Sequence, residues 1–385
     1  MAETILCTCA RAIPEILARE LEALGFPIVA IHAAGVETRG TFEDCLVLNL
    51  RLRTAHRVLY RLGSWRVRTP DDMYEAVRNL PWEDWIDADG YVCVVGSIKT
   101  SSIDNSQYAH QRCKDGIVDR IRGRKGRRPD AGPDTTQTVV FLFWQNDDCM
   151  VYIDTSGTPL SERGYRLQPG RAPLRETLAA AIVLSTRWSP GEAFVNPMCG
   201  SGTLAIEAGL IAQNIAPSVD RDNFGFMHVL PYDDGRWQDL VEEARSEEHT
   251  DPVSTIIATD RDNRAIDATR ANARRAGVVL ETRTCDFRGT RIPDPPGVVV
   301  LNPEYGLRLG DTTVLRGVYK EIGDFFKQSC LGYTGYVFTG NLELAKHIGL
   351  RSSRRIPFWT ADIESRLVEF ELYEGTRKQR SGDDV

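Results

Sequence analysis

Two apolar runs, far apart in the chain, each break off at groups able to bind a ligand: Val195-Asn196-Pro197-Met198-Cys199-Gly200-Ser201-Gly202-Thr203 and Val298-Val299-Val300-Leu301-Asn302-Pro303-Glu304-Tyr305. Runs of this kind suit strands buried on both faces of a parallel sheet. The first ends in a glycine-rich turn that opens a helix. The second ends in an amide, a proline and an aromatic ring. Ligands of open α/β sheets sit beyond the carboxyl ends of the strands. Two such ends in one domain therefore predict one crevice for two molecules, a nucleoside-like cofactor and a planar amine.

The pattern along the chain changes near residue 160. Before it, strands and helices mix in an α+β order: an amphipathic helix over 11–25 closed by Gly25, strands at Ile28–His32 and Gly35–Arg39, and a helix from Phe42 to Leu62. A strand at Tyr91–Ile98, a helix at Gln107–Arg122 and a hairpin of Thr138–Trp144 with Cys149–Asp154 follow. After residue 160, Pro173 marks the start of a helix reaching Arg187, and strands then alternate with helices. Strands are predicted at Ala193–Asn196, Thr255–Thr259, Leu280–Thr284, 298–301 and Gly335–Thr339, with helices at Thr203–Gln213, Arg264–Ala276, Thr313–Gln328 and Leu342–Leu350 and a terminal hairpin. Residues 214–252 read as a long polar insertion and 375–385 as a frayed tail. The fold class is α/β: a Rossmann-like, doubly wound sheet preceded by an α+β region.

Composition narrows the partners. No apolar run is long enough to span a membrane, and the first residues lack a signal peptide's pattern. Nine scattered cysteines point to reduced thiols and a cytoplasmic protein, and Cys7 and Cys9 have no neighbours that would make a metal site. A net charge of −7 argues against indiscriminate coating of nucleic acid. Charge is local, however: Arg120, Arg122, Arg124, Lys125, Arg127 and Arg128 form a cluster able to neutralise phosphates, or else a solvated loop.

A glycine-rich turn alone also fits a dinucleotide site, but Gly200-Ser201-Gly202 lacks that spacing, and no Walker lysine follows. The next strand ends in Asp260, whose carboxylate can accept both hydroxyl protons of a ribose or can cap the following helix. The strand after that ends at Asp286-Phe287, an acceptor and an aromatic wall for an adenine. Glycine turn, ribose acid and adenine pocket on successive strands favour S-adenosylmethionine over NAD. Methyl transfer is an in-line displacement that needs alignment and charge placement. Asn302 and the Pro303 carbonyl are placed to accept the protons of a ring amine, and Tyr305 to stack on the ring, unless Asn-Pro-Glu-Tyr-Gly is only a strand-ending turn.

These residues resemble the amino-methyltransferases with an (Asn/Asp)-Pro-Pro-(Tyr/Phe) motif. Further stretches, Asn105–Tyr108, Lys114–Asp119, Asp154–Gly157, Arg163–Arg166, Ala172–Ala181 and Asn196–Thr203, are similar to the bacterial 23S rRNA guanine-N2 methyltransferases of the RlmL type. The resemblance implies a ferredoxin-like region over 1–50, a THUMP RNA-binding domain over 51–157 and an S-adenosylmethionine-dependent methyltransferase domain over 165–375. It implies N2-methylguanosine in rRNA of the large subunit or its precursor as product. The implied cofactor set is Asn196, Met198, Cys199, Gly200, Ser201, Gly202, Thr203, Asp260, Asp286, Phe287 and Asn302; Asn302, Pro303 and Tyr305 are catalytic. Two positions depart from the pattern: Glu304 replaces the motif's second proline, and Asn196 replaces an aspartate. Glu304 motivates an alternative, a non-catalytic rRNA-binding assembly factor; an amino-methyltransferase acting on tRNA guanine, DNA adenine or a glutamine side chain is the other.

Overall fold

The computed structural model describes residues 2–103, 105–166, 174–251, 253–304, 312–360 and 362–373. The chain forms two compact units, residues 1–163 with 216–246, and 164–215 with 247–385. In chain order the elements begin β1 (Glu3–Thr8), α1 (Pro14–Ala23), β2 (Ile28–His32), β3 (Gly35–Gly40), α2 (Phe42–Arg51), β4 (Arg57–Arg66) and α3 (Pro70–Arg78). Next come β5 (Tyr91–Lys99), α4 (Ser106–Lys125), β6 (Asp130–Ala131), β7 (Val139–Gln145), β8 (Asp148–Asp154), α5 (Glu176–Ser185), β9 (Ala193–Pro197), α6 (Thr203–Ala212) and α7 (Asp234–Ser246). The last are β10 (Ile256–Asp260), α8 (Asn263–Arg275), β11 (Glu281–Thr284), β12 (Gly297–Leu301), α9 (Thr312–Ser329), β13 (Thr334–Thr339), α10 (Leu342–Ala345), β14 (Arg354–Thr360) and β15 (Ile363–Glu371).

The first unit is built on an eight-stranded sheet in the order β2-β3-β1-β4-β8-β7-β5-β6. The helix predicted over Phe42–Leu62 is in fact a helix and a strand. It ends because the Glu20 carboxylate accepts the backbone N–H groups of Arg53 (2.8 Å) and Thr54 (3.0 Å) and the Thr54 hydroxyl. Those bonds turn the chain out of helical geometry, and β4 then pairs with β1 and β8. Burial pushes the Glu20 carboxyl upward against the pull of these donors. The Asp154–Gly157 stretch is a buried polar knot. Asn49, fully buried, donates to Thr155 Oγ1 (2.8 Å) and accepts from Ser156 Oγ (2.6 Å), while Asp154 pairs with Arg57.

The segment expected to be a polar insertion carries its own core. Phe224 and Phe226 stack at 4.8 Å between centroids, and Trp237 on α7 packs against both at 5.1 and 5.0 Å. Arg221 donates to the carbonyls of Ser156 (2.8 Å), Thr158 (2.8 Å) and Pro159 (3.2 Å), and burial pulls its pKa down to about 10. Three aromatic rings among many polar residues leave no periodic mark, so the sequence hides this docking. The points where the segment departs and returns lie side by side: Asn214 Nδ2 donates to the Glu247 carbonyl (3.1 Å) and His249 N–H to that of Gln213 (2.8 Å).

The second unit holds a seven-stranded sheet in the order β11-β10-β9-β12-β13-β15-β14. The expected parallel wound sheet runs over β11 to β13, and the terminal hairpin adds β15 and β14 antiparallel. Val195, Ile257, Val299, Leu301 and Val337 pack with Tyr319, Ile322 and Phe326 of α9 in one apolar cluster. Burying β-branched residues on central strands fixes those strands on both faces and aims their carboxyl ends at one edge.

Candidate active site

Adjacent strands β11, β10, β9 and β12 deliver the predicted residues to that edge. Leaving β9, the chain alternates into left-handed backbone, with positive φ at Met198 (57°), Gly200 (57°) and Gly202 (85°). Gly202 is required by packing, because a Cβ there would meet Thr269 Cγ2 at 2.6 Å. Gly200 faces the opposite situation: no atom of the described residues lies within 4 Å of the Cβ it lacks. That gap lets the backbone approach a ligand closely.

Asp260, ending β10, is the centre of the arrangement. Its Oδ2 accepts the Gly200 N–H at 3.0 Å and its Oδ1 accepts the Asp262 N–H at 2.9 Å. The alternative role of capping α8 falls instead to Asp262, which accepts the Arg264 N–H at 2.9 Å. A carboxylate oxygen has more than one acceptor site, so both Asp260 oxygens keep capacity for hydroxyl donors.

The glycine turn is braced by side chains that carry no periodic mark in the sequence. On α8, Thr269 Oγ1 donates to the Gly200 carbonyl (2.9 Å) and Asn272 Nδ2 to that of Ser201 (3.1 Å). Arg166 donates to Glu176 Oε1 (2.8 Å), the Leu174 carbonyl (2.8 Å) and Thr203 Oγ1 (3.2 Å), with Ser201 Oγ at 3.5 Å. In the sequence Arg166 is marked only by the Arg163–Arg166 stretch that is similar to the RlmL type. Burial pushes the Cys199 thiol up to about 12, which disfavours its thiolate.

Asn196 is 1% exposed. Its Nδ2 donates to the Val300 carbonyl at 2.7 Å, and its Oδ1 is buried without a partner among the described residues. The ladder between β9 and β12 stops at Val195 and Val299, so this amide carries the strand contact one residue further. Asn302 and Pro303 follow directly, the first half-buried and the second buried, and Glu304 is exposed. Tyr305 lies outside the described residues, as do Pro173 and 375–385.

Asp286 caps a short turn of its own, accepting the Arg288 N–H (3.0 Å) and Nε (2.7 Å). Arg288, with Arg261 contributing, holds its carboxyl below the usual range. Phe287, proposed as an adenine wall, is 5% exposed and packs edge-on against Phe325 in the core. An aromatic after a strand reads the same whether its ring turns inward or outward.

The basic cluster at the end of α4 is partly spent. Arg120 makes a two-pronged pair with Glu83 (2.6 and 2.9 Å), Arg124 lies 3.6 Å from the same carboxylate, and Arg127 pairs with Asp89. Arg122, Lys125 and Arg128 remain exposed with no ion pair among the described residues.

Residues 163–368 match the family model for the RMKL-like methyltransferase domain, more than half of the chain. The chain belongs to that methyltransferase-domain family. Residues 4–59 match the RlmL ferredoxin-like domain and 67–154 the THUMP domain. The ribosomal RNA large subunit methyltransferase K/L of Syntrophotalea carbinolica is 38% identical over 379 residues, covering 95% of this chain and 53% of that protein. The chain thus spans about half the length of the curated relatives it matches. A crystal structure of SMU.472 complexed with SAH aligns at TM-score 0.88 with 27% identity, covering 97% of this chain and 99% of that one. A predicted N6-adenine-specific DNA methylase from Listeria monocytogenes aligns at TM-score 0.87 with 31% identity, over 97% of each chain.

Proposed function

We propose that this chain transfers a methyl group from S-adenosylmethionine to the N2 amine of a guanine in large-subunit (23S) rRNA. The observation that carries the reading is the Gly200–Asp260 bond, which ties the ends of β9 and β10 beneath a gap among the described residues, with β9 next to the strand that leads into Asn302. The residues fit the cofactor. Gly200 leaves room for its approach, and Asn196 Oδ1 is a buried acceptor that lacks a donor among the described residues. When bound, S-adenosylmethionine supplies an electrophilic methyl group on a sulfonium. Asp260 receives ribose hydroxyls, the turn from Met198 to Thr203 holds the amino-acid end, and the Asp286–Phe287 loop borders the base. SAH in the SMU.472 structure and the names of the rRNA-modifying relatives support this assignment.

The exocyclic amine of guanine is a weak nucleophile because its lone pair is delocalised into the ring. Asn302 Oδ1 and the Pro303 carbonyl accept its two N–H protons, which directs the lone pair outward. Tyr305 stacks on the base and holds its plane, worth about 1–3 kcal/mol. No titrating base is needed before attack.

The test is nucleoside mass spectrometry of cellular RNA after reaction with labelled S-adenosylmethionine. N2-methylguanosine in 23S rRNA is the expected product. Label in adenine N6, in tRNA alone, or nowhere overturns the reading; an adenine product would align the chain with the name of the Listeria neighbour. Asp260→Ala should weaken SAH binding at least tenfold by calorimetry, about 1.4 kcal/mol. Asn302→Ala should lower single-turnover transfer about a hundredfold with SAH affinity kept, the usual scale for losing one preorganised polar contact.

A further inference from the structure

Residues 261–291 hold eight arginines against four acids, within a chain whose net charge is −7. The acids are engaged locally. Asp262 caps α8, Asp267 is shared by Asn263 (3.2 Å) and Arg270 (3.5 Å), Glu281 meets Arg291 (3.3 Å), and Asp286 holds Arg288 (2.7 Å). Arg264, Arg274, Arg275 and Arg283 are exposed and make no ion pair among the described residues. Arg264 and Arg275 stand eleven positions apart, three helical turns, so they share one line on α8. That line is opposite Ile266, which is buried against the sheet. Arg274 flanks it, whereas Arg283 on β11 alternates with Thr282 and Thr284, which bond Arg270 and Asn263 of α8, and so stands on the other face of the sheet.

We infer that this arginine face of α8 is a second RNA surface, which takes the phosphodiester backbone of the substrate on the methyltransferase unit itself. The inference rests on the RNA-directed reading above. Several features favour a phosphate backbone. Uncompensated guanidinium groups in a row match a line of phosphates, and each offers a fork of donors to an anionic oxygen. Arg261, exposed at the top of the same surface, directly follows Asp260, so a strand lying on this face would lead to the crevice. Thr269 and Asn272 of the same helix hold the glycine turn, so the backbone-holding and turn-bracing groups share one rigid element. The α4 cluster, by contrast, spends three of its six cations on Glu83 and Asp89.

A competing role is a charged face that only keeps the protein soluble. Two variants of the full chain separate these. The first is Arg264→Gln with Arg275→Gln. The second adds Arg261→Gln and Arg274→Gln. Binding to 23S rRNA fragments is measured by anisotropy across a salt series, with SAH affinity by calorimetry as a control for the crevice. The four-site variant should bind RNA at least tenfold more weakly near physiological salt. Its slope of log K against log salt should fall by about 3, given about 0.7–0.9 per phosphate contact. The two-site variant should lose about half that slope, and SAH affinity should stay within twofold in both. Unchanged slopes, or aggregation of the four-site variant with normal RNA binding by the two-site variant, would overturn the inference. So would a wild-type preference for duplex DNA over RNA at this face. Loss of SAH binding or of methyl transfer in the unmodified chain would instead count against the proposed function, whatever the arginine variants do.

Discussion

At Asn196 a single amide does the work of a backbone pair. Its Nδ2 closes on the Val300 carbonyl where the ladder between β9 and β12 has run out, two residues before Asn302. Asn196→Asp keeps the shape but replaces that donor with an acceptor, leaving two acceptors face to face in a buried place. Denaturant unfolding at neutral pH should show a loss of about 1–3 kcal/mol, the cost of an unmade buried hydrogen bond. Hydrogen exchange should quicken at Leu301 and Asn302 more than at Phe194. At this scale the sequence showed the residues whose chemistry is intrinsic, the glycines, Asp260 and Asn302. It did not show Arg166, Thr269 or Asn272. Their roles are bonds to the carbonyls and hydroxyls of a turn, and nothing in a side chain's identity announces which turn it will meet.

Elements were legible where periodicity was local. The alternating sheet of the second unit and the hairpin of β7 and β8 follow from apolar runs bounded by turn residues. The single long helix predicted from Phe42 failed because Glu20, on α1, decides where α2 ends. A contact over that sequence distance has no local signature. The end of α4 offers a pH test at the same scale. Arg120 holds the Glu83 carboxyl below its ordinary range, chiefly through their hydrogen bonds. A depressed native value means that the pair stabilises above the unfolded carboxyl pKa, ~4.3, and that this gain vanishes as pH falls through the native value. Glu83→Gln should therefore lower Tm at pH 7, and the difference from the unmodified chain should shrink steadily on acidification below about pH 4.5. A difference independent of pH would mean that packing, not charge, holds the pair.

For the molecule as a whole, the least legible feature was the destination of residues 216–246, which lie between α6 and β10 in sequence yet belong to the first unit. Because Gln213 and Asn214 are hydrogen-bonded to His249 and Glu247, a short glycine-serine bridge can replace the segment. The shortened chain should bind SAH with affinity within about threefold of the original, while protease sites around Thr155 to Pro159 become cleavable. Lost SAH binding would show that the segment also supports the crevice. The same routing bears on biosynthesis. Domains of a nascent chain generally fold as units, the N-terminal one first. Here the carbonyls of Ser156, Thr158 and Pro159 must wait for Arg221, and Trp237 arrives later still. The leading half of this protein therefore leaves the ribosome unfinished, and it is completed only by a stretch synthesised after the methyl-transfer fold has begun.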